Sequence, residues 1–211
     1  MAYDFNGTDQ YIVTSSAPVT AFSYTIACWA RKDLDLGGIL VSLGDSTNPN
    51  TCALLSAGQP GGQMVSITKI NADDQRSNTV SGSPITGVWF HAACNFSSST
   101  FLRAFANGAP GTTGTNNVTP TGLNRLSIGA RVRSYVNGYF DGQIAEVGIW
   151  NVGLDVEEIA SLAAGVTCDR VRPQSLRFYA PLIRDLQDER GGLTLTNTNG
   201  ATVYDHPRVY K

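Results

Sequence analysis

The stretch YFDGQIAEVGIWNVGLDVEEI, Tyr139 to Ile159, decides the fold. Asp141-Gly142 is a turn signal, and Ile144 to Trp150 alternates apolar side chains as a strand does. Asp155 is placed to cap a helix, and Glu158, three residues on, completes a capping box. Ile159 and Leu162 give that helix one apolar face, and Gly165 stops it. The spacing predicts a strand over 143–150 followed by one short helix near 156–164.

Outward from this segment, alternation is clearest in Tyr24, Ile26, Cys28, Ala30 and in Phe90, Ala92, Cys94, Phe96, each row with a more mixed opposite face. Strands are expected near 3–6, 10–14, 22–31, 38–43, 52–56, 63–70, 77–80, 87–96, 100–106 and 125–130. Rows of this kind fill the space between two antiparallel sheets. The polar, turn-rich segments Gly58 to Gly62 and Gly108 to Gly122 are expected loops. No internal repeat is evident, and 211 residues suit one large β-sandwich domain over 1–211.

The closing segment resembles that of laminin-G-like jelly rolls of the concanavalin A lectin type. Phe140, Gly142, Ile144, Glu146, Val147, Ile149, Trp150, Asn151, Leu154, Glu158 and Ile159 fit the family pattern. Ala145 departs from it, standing where the family usually has aspartate. FNGTDQYIVT (Phe5 to Thr14), FSYTIACWARKD (Phe22 to Asp33) and GVWFHAACNF (Gly87 to Phe96) resemble other family strands, in the family's order. The resemblance implies an all-β, two-sheet antiparallel jelly-roll sandwich with one short helix. The tail from 167 to 211 resembles a segment that precedes the opening strand in many such domains, with Tyr179, Leu182, Asp188, Gly191 and Gly200 in comparable places. A circularly permuted arrangement follows, in which the tail returns strands beside the N-terminal one.

The tail also resembles stand-alone laminin-G-like proteins of bacteriophage virions. That resemblance implies a non-catalytic virion structural or decoration protein, made in the host cytoplasm and packed on coat subunits or on itself as a homo-oligomer. The alternative it leaves open is a carbohydrate-binding, lectin-like adhesion module, on a virion or extracellular. The N-terminus lacks the basic and apolar regions of a secretory signal, which fits the first expectation.

Composition narrows the partners. A net charge of −2 gives no general attraction to nucleic acid or anionic membrane. No apolar run approaches the roughly 20 residues of a membrane helix. Charged residues are 15% of the chain, so the surface is largely neutral and polar. The four cysteines at 28, 52, 94 and 168 have no metal-ligand spacing. They are read as buried free thiols, with a Cys28–Cys94 bridge left open.

Catalytic patterns are absent from the sequence. Glycosidases need two carboxylates about 5–9.5 Å apart, yet the four glutamates, at 146, 157, 158 and 189, form no such cluster on a strand. No Gly-x-Ser-x-Gly elbow occurs, and His91 and His206 make no triad pattern. For sugar binding, Tyr135, Asn137 and Tyr139 form a candidate loop trio, with Trp29 pointing from a strand face away from the core. For calcium, which relatives of this type bind, the candidate oxygen ligands are Asn6, Asp9, Asn137 and Asp141, each equally a turn former. For a protein partner, Arg170, Arg172, Arg177 and Arg184 make the tail locally basic, joining Arg131 and Arg133 upstream.

Overall fold

A computed structural model describes residues 1–34, 37–59, 63–70, 73–78 and 84–210. Its strands are β1 (Ala2–Asn6), β2 (Tyr11–Thr14), β3 (Tyr24–Lys32), β4 (Gly38–Gly44), β5 (Cys52–Gln59), β6 (Gln63–Ile70), β7 (Asp73–Asn78), β8 (Phe90–Ser98) and β9 (Phe101–Ala106). They continue as β10 (Ala109–Gly114), β11 (Arg125–Ile128), β12 (Arg131–Val132), β13 (Val136–Asn137) and β14 (Asp141–Trp150). After helix α1 (Val156–Ala163) come β15 (Leu176–Ala180), β16 (Leu195–Thr198) and β17 (Thr202–Tyr204).

One antiparallel sheet runs β10-β9-β8-β3-β14-β1-β17, with β15 also on β14, and the second runs β16-β2-β11-β4-β5-β6-β7. The expected two-sheet sandwich with one short helix is the observed fold. The tail contributes β15 beside β14, β16 beside β2 and β17 beside β1. Both sheets therefore end on tail strands at one side. The expected strand over 77–80 is observed as β7, ending at Asn78; residues 79 and 80 lie outside the described residues.

Two of the expected loops differ. β5 runs on to Gln59, into the Gly58 to Gly62 segment, whose residues 60–62 lie outside the described residues. Ala109–Gly114 is a strand, paired with β9 through the Asn107-Gly108 turn. Its sequence, APGTTG, lacks apolar alternation because β10 is an edge strand whose side chains are mostly exposed.

The mixed faces of β3 and β8 have a structural reason: the first sheet is buried on both sides. Ile26, Cys28, Ala30, Phe90, Ala92, Cys94 and Phe96 face the second sheet in the main core. On the opposite side, Ala27, Ala93, Phe105 and Trp150 cluster with Leu176 and Tyr179 of β15, with Cys168, and with Ile159 and Leu162 of α1. The helix is set there by its capping box, with Asp155 Oδ1 accepting from Glu158 N at 2.8 Å and Glu158 Oε2 accepting from Asp155 N at 2.9 Å. Trp150 Nε1 donates to Val171 O at 2.8 Å, so the indole is buried without an orphaned donor. Cys28 and Cys94 are free, as are Cys52 and Cys168, and all four are buried.

β14 carries a bulge at Glu146. The register with β3 passes from Ala145 opposite Trp29 to Gly148 opposite Ala27, one residue more on β14 than on its partner. On its other edge β14 pairs with β1 up to Ile144 and with β15 from Val147, so the bulge lies where one partner replaces the other. Glu146 has φ +53 and is 3% exposed. Its Oε2 accepts from the Tyr179 hydroxyl at 2.6 Å, and its backbone oxygen accepts from Cys168 Sγ at 3.5 Å. His206 Nε2 stands 3.1 Å from Oε1, off the hydrogen-bond direction. Burial and the adjacent Glu146 push the Tyr179 phenol far above its usual pKa, so it donates and does not ionise near neutrality.

Candidate functional site

The outer face of the second sheet is partly roofed by the β12–β13 hairpin. Gly44 makes this approach feasible: a Cβ there would stand 2.0 Å from Val132 O. Arg125 lies opposite Gly44 in the β11–β4 register. Leu126 and Ile128 of β11 point into the core, so Arg125 and Ser127 point outward under the hairpin. Ser127 is buried there, its hydroxyl donating to Ala130 O at 2.7 Å.

Beside this roof is a pocket of about 360 Å³, lined by Tyr11, Val13, Thr14, Ser15, Arg125, Val132 and Thr196. That volume is in the usual range for small-ligand sites, about 300–1,000 Å³. Three strands converge to make it. β2 alternates Ile12 and Thr14, both buried, with Tyr11 and Val13 half-exposed. β11 supplies Arg125, and β16 from the tail supplies Thr196. Thr14 fixes the wall: its hydroxyl donates to Ser16 O at 2.5 Å and accepts from Leu126 N at 3.2 Å. Arg125 Nη1 donates to Ser15 O at 2.6 Å. The Tyr11 hydroxyl and Thr196 Oγ1 line the pocket and make no hydrogen bond to a described residue.

The trio of candidate sugar-binding residues lies on and beyond the hairpin. Tyr139 packs against Tyr11, ring centroids 6.2 Å apart, and so borders the pocket. Asn137 Oδ1 accepts from Arg131 Nε at 2.9 Å. Tyr135 is half-exposed and covers Arg133, whose guanidinium carbon is 4.6 Å from the ring centroid and whose Nη2 donates to the phenol oxygen. Arg133 itself is buried, with no partner for Nε among the described residues. Burial first, then the neighbouring Arg131, pulls its pKa below the ordinary value. Trp29 is not part of this group. It lies on the far face of the first sheet, edge-on to His91 at 5.6 Å.

The four candidate calcium ligands are divided. Asn6 and Asp141 are register partners on β1 and β14, and Asn6 Nδ2 donates to Asp9 Oδ1 at 2.9 Å. Asn6 Oδ1 is already occupied by the backbone amides of Thr8, Asp9 and Gln10. Asn137 belongs to the hairpin beside the Arg131 cation. Burial first, then the charges of Asp33 and Asp4, raises the Asp141 carboxyl. No group of three or more His, Cys, Asp or Glu is disposed to hold a metal among the described residues.

The tail arginines do not form one patch. Arg172 is committed within the chain, its Nε 2.6 Å from Glu158 Oε1 and its Nη2 3.6 Å from Asp155 Oδ2. Arg170 is exposed beside Asp169, Arg177 donates to Gln174 O, and Arg184 Nε lies 3.3 Å from Met1 Sδ. Tyr11, Arg125 and Thr196 were not singled out in the sequence. Their one local signal is the outward alternation of β2, since the pocket exists only once a tail strand pairs with β2.

A family model described as the concanavalin A-like lectin/glucanases superfamily matches residues 6–160. A native heptameric SAP-like pentraxin from Limulus polyphemus is similar in structure at a TM-score of 0.65 and 14% identity, over 96% of this chain and 97% of that one. A putative carbohydrate binding protein from Bacteroides ovatus gives 0.61 and 17%, over 96% of this chain and 61% of that one. The CBM40 module of a Ruminococcus gnavus sialidase, bound to α2,3 sialyllactose, gives 0.60 and 16%, over 77% and 96%. At these identities the likeness is one of fold. A search of curated proteins gives no match.

Proposed function

The chain belongs to the concanavalin A-like lectin/glucanases superfamily, and we propose that it is a non-catalytic, lectin-type module that binds a glycan in the pocket between β2, β11, β16 and the β12–β13 hairpin. The observation that carries this is the pocket's lining: an aromatic platform at Tyr11, free hydroxyls and one guanidinium, without a carboxylate. A sugar presents an apolar ring face and a rim of hydroxyls, and Tyr11 and Thr196 answer each in turn. Glycoside hydrolysis needs two carboxylates across the bond, and the pocket wall supplies none. The carbohydrate-binding descriptions of two structures with this fold support the reading.

Glycan-array screening tests it. Binding that Tyr11→Ala abolishes, with an unchanged thermal midpoint, is the expected result. An array on which the protein binds nothing overturns the proposal.

A role as a subunit of a bacteriophage virion is the second reading. The heptameric pentraxin of similar fold favours self-association of such a sandwich. Light scattering would show a closed oligomer under this reading, and a monomer would count against it.

A further inference from the structure

We infer that the pocket selects acidic saccharides, with a carboxylate or sulfate of the sugar seated on Arg125. The inference rests on the glycan reading of the pocket and adds the ligand's charge. Arg125 is the one formally charged residue among the lining residues. It makes no ion pair with a described residue. Its single hydrogen bond to protein runs from Nη1 to Ser15 O, leaving Nη2 and Nε of the fork to an oxyanion.

The surroundings reinforce that charge. Arg133 reaches the same place on the sheet: its Cγ is 3.6 Å from a Cβ placed on Gly44, the register partner of Arg125. It is 6% exposed and stacks on Tyr135, a neutral partner. Arg131 is bonded to the neutral amide of Asn137. Three guanidinium groups thus stand on one face with neutral partners among the described residues, in a chain whose net charge is −2. Asp9 is the acidic group toward the Tyr139 side of the rim, and its Oδ1 already accepts from Asn6. A positive site of this kind draws an anion and repels a cation. The free hydroxyls of Tyr11 and Thr196 then bond the sugar's own hydroxyls beside the bound acid.

The experiment is an array of neutral, uronate-, sialate- and sulfate-bearing glycans. Calorimetry follows on the tightest binder and its uncharged counterpart, for a uronate its methyl ester. We expect acidic glycans to be preferred and the uncharged counterpart to bind about 10- to 100-fold more weakly, the worth of hydrogen bonds to a charged group. Arg125→Gln should erase that preference and Arg125→Lys should retain part of it. Salt dependence of the wild-type affinity reads the same charge without any substitution, should a variant fail to fold. The uronate, sialate and sulfate spots separate the sources of the oxyanion. Equal binding of acid and uncharged counterpart overturns this inference and leaves the glycan reading standing. Binding of no glycan overturns both.

Discussion

The Glu146–Tyr179 pair lends itself to a double-mutant cycle. The carboxylate is 3% exposed, the tyrosine is 2% exposed, and their oxygens are 2.6 Å apart. Tyr179→Phe keeps the ring's packing and strips Oε2 of its donor. Glu146→Ala leaves the phenol buried without an acceptor. A hydrogen bond to a charged group is worth about 1.5–3 kcal/mol, and a buried group left unsatisfied costs about 1–3 kcal/mol. Either single substitution should therefore cost about 2–3 kcal/mol. The double variant removes both groups, so it should cost little more than the costlier single one. The coupling energy expected is about 1.5–3 kcal/mol. Backbone strain at φ +53 cancels in the cycle, because alanine suffers the left-handed region as glutamate does. Glu146→Gln, which still accepts but carries no charge, should reduce the coupling to about 0.5–1.5 kcal/mol. The assay is urea unfolding near pH 7, comparing midpoints at a common m-value. Costs that add to within about 0.5 kcal/mol would refute the reasoning, since independent sites behave that way.

Two further outcomes follow from single residues. His91 is buried, its Nδ1 has no described partner, and burial pulls its pKa down to about 3 from an ordinary 6.5. The folded state thus holds the neutral imidazole, and its contribution is full above pH 6.5 and lost as pH falls toward 3. The wild type should lose up to about 1.4 kcal/mol per pH unit below 6.5 relative to His91→Gln, and parallel curves for the two in urea titrations between neutrality and pH 5 would contradict the assignment. Gly44→Ala would drive its Cβ into Val132 O and lift the hairpin from the sheet. It should cost about 1–3 kcal/mol, as overpacking does, and weaken glycan binding by calorimetry; unaltered affinity would show that the hairpin is not a wall of the site.

The fold was largely legible because its strongest signals are local. The β14–α1 segment carries its turn, its alternation and its capping box within two dozen residues, and the observed helix begins and ends where Asp155 and Gly165 place it. β10 was not legible, because an exposed edge strand has no need of apolar alternation. The Glu146 bulge was not legible either, since it answers to a change of partner between β1 and β15, two segments far away in sequence. The pocket is hidden for the same reason. Tyr135, Asn137 and Tyr139 were adjacent in sequence and drew notice, whereas Tyr11, Arg125 and Thr196 meet only through long-range pairing. Arg133, grouped by the sequence with the tail arginines as a cation for a protein partner, is buried because the hairpin folds onto the sheet.

The placement of β16 and β17 bears on how the chain is made. β1 and β2 are made before the other strands of this sandwich, yet each completes its pairing only with a strand that begins after residue 194. At a translation rate of about 5–20 residues per second, those first strands wait roughly ten to forty seconds for their partners. During that interval the edges of both sheets stay open to other chains. A nascent chain interrupted before Thr196 lacks one wall of the pocket, so the pocket takes shape only after the sandwich's last strands have been made.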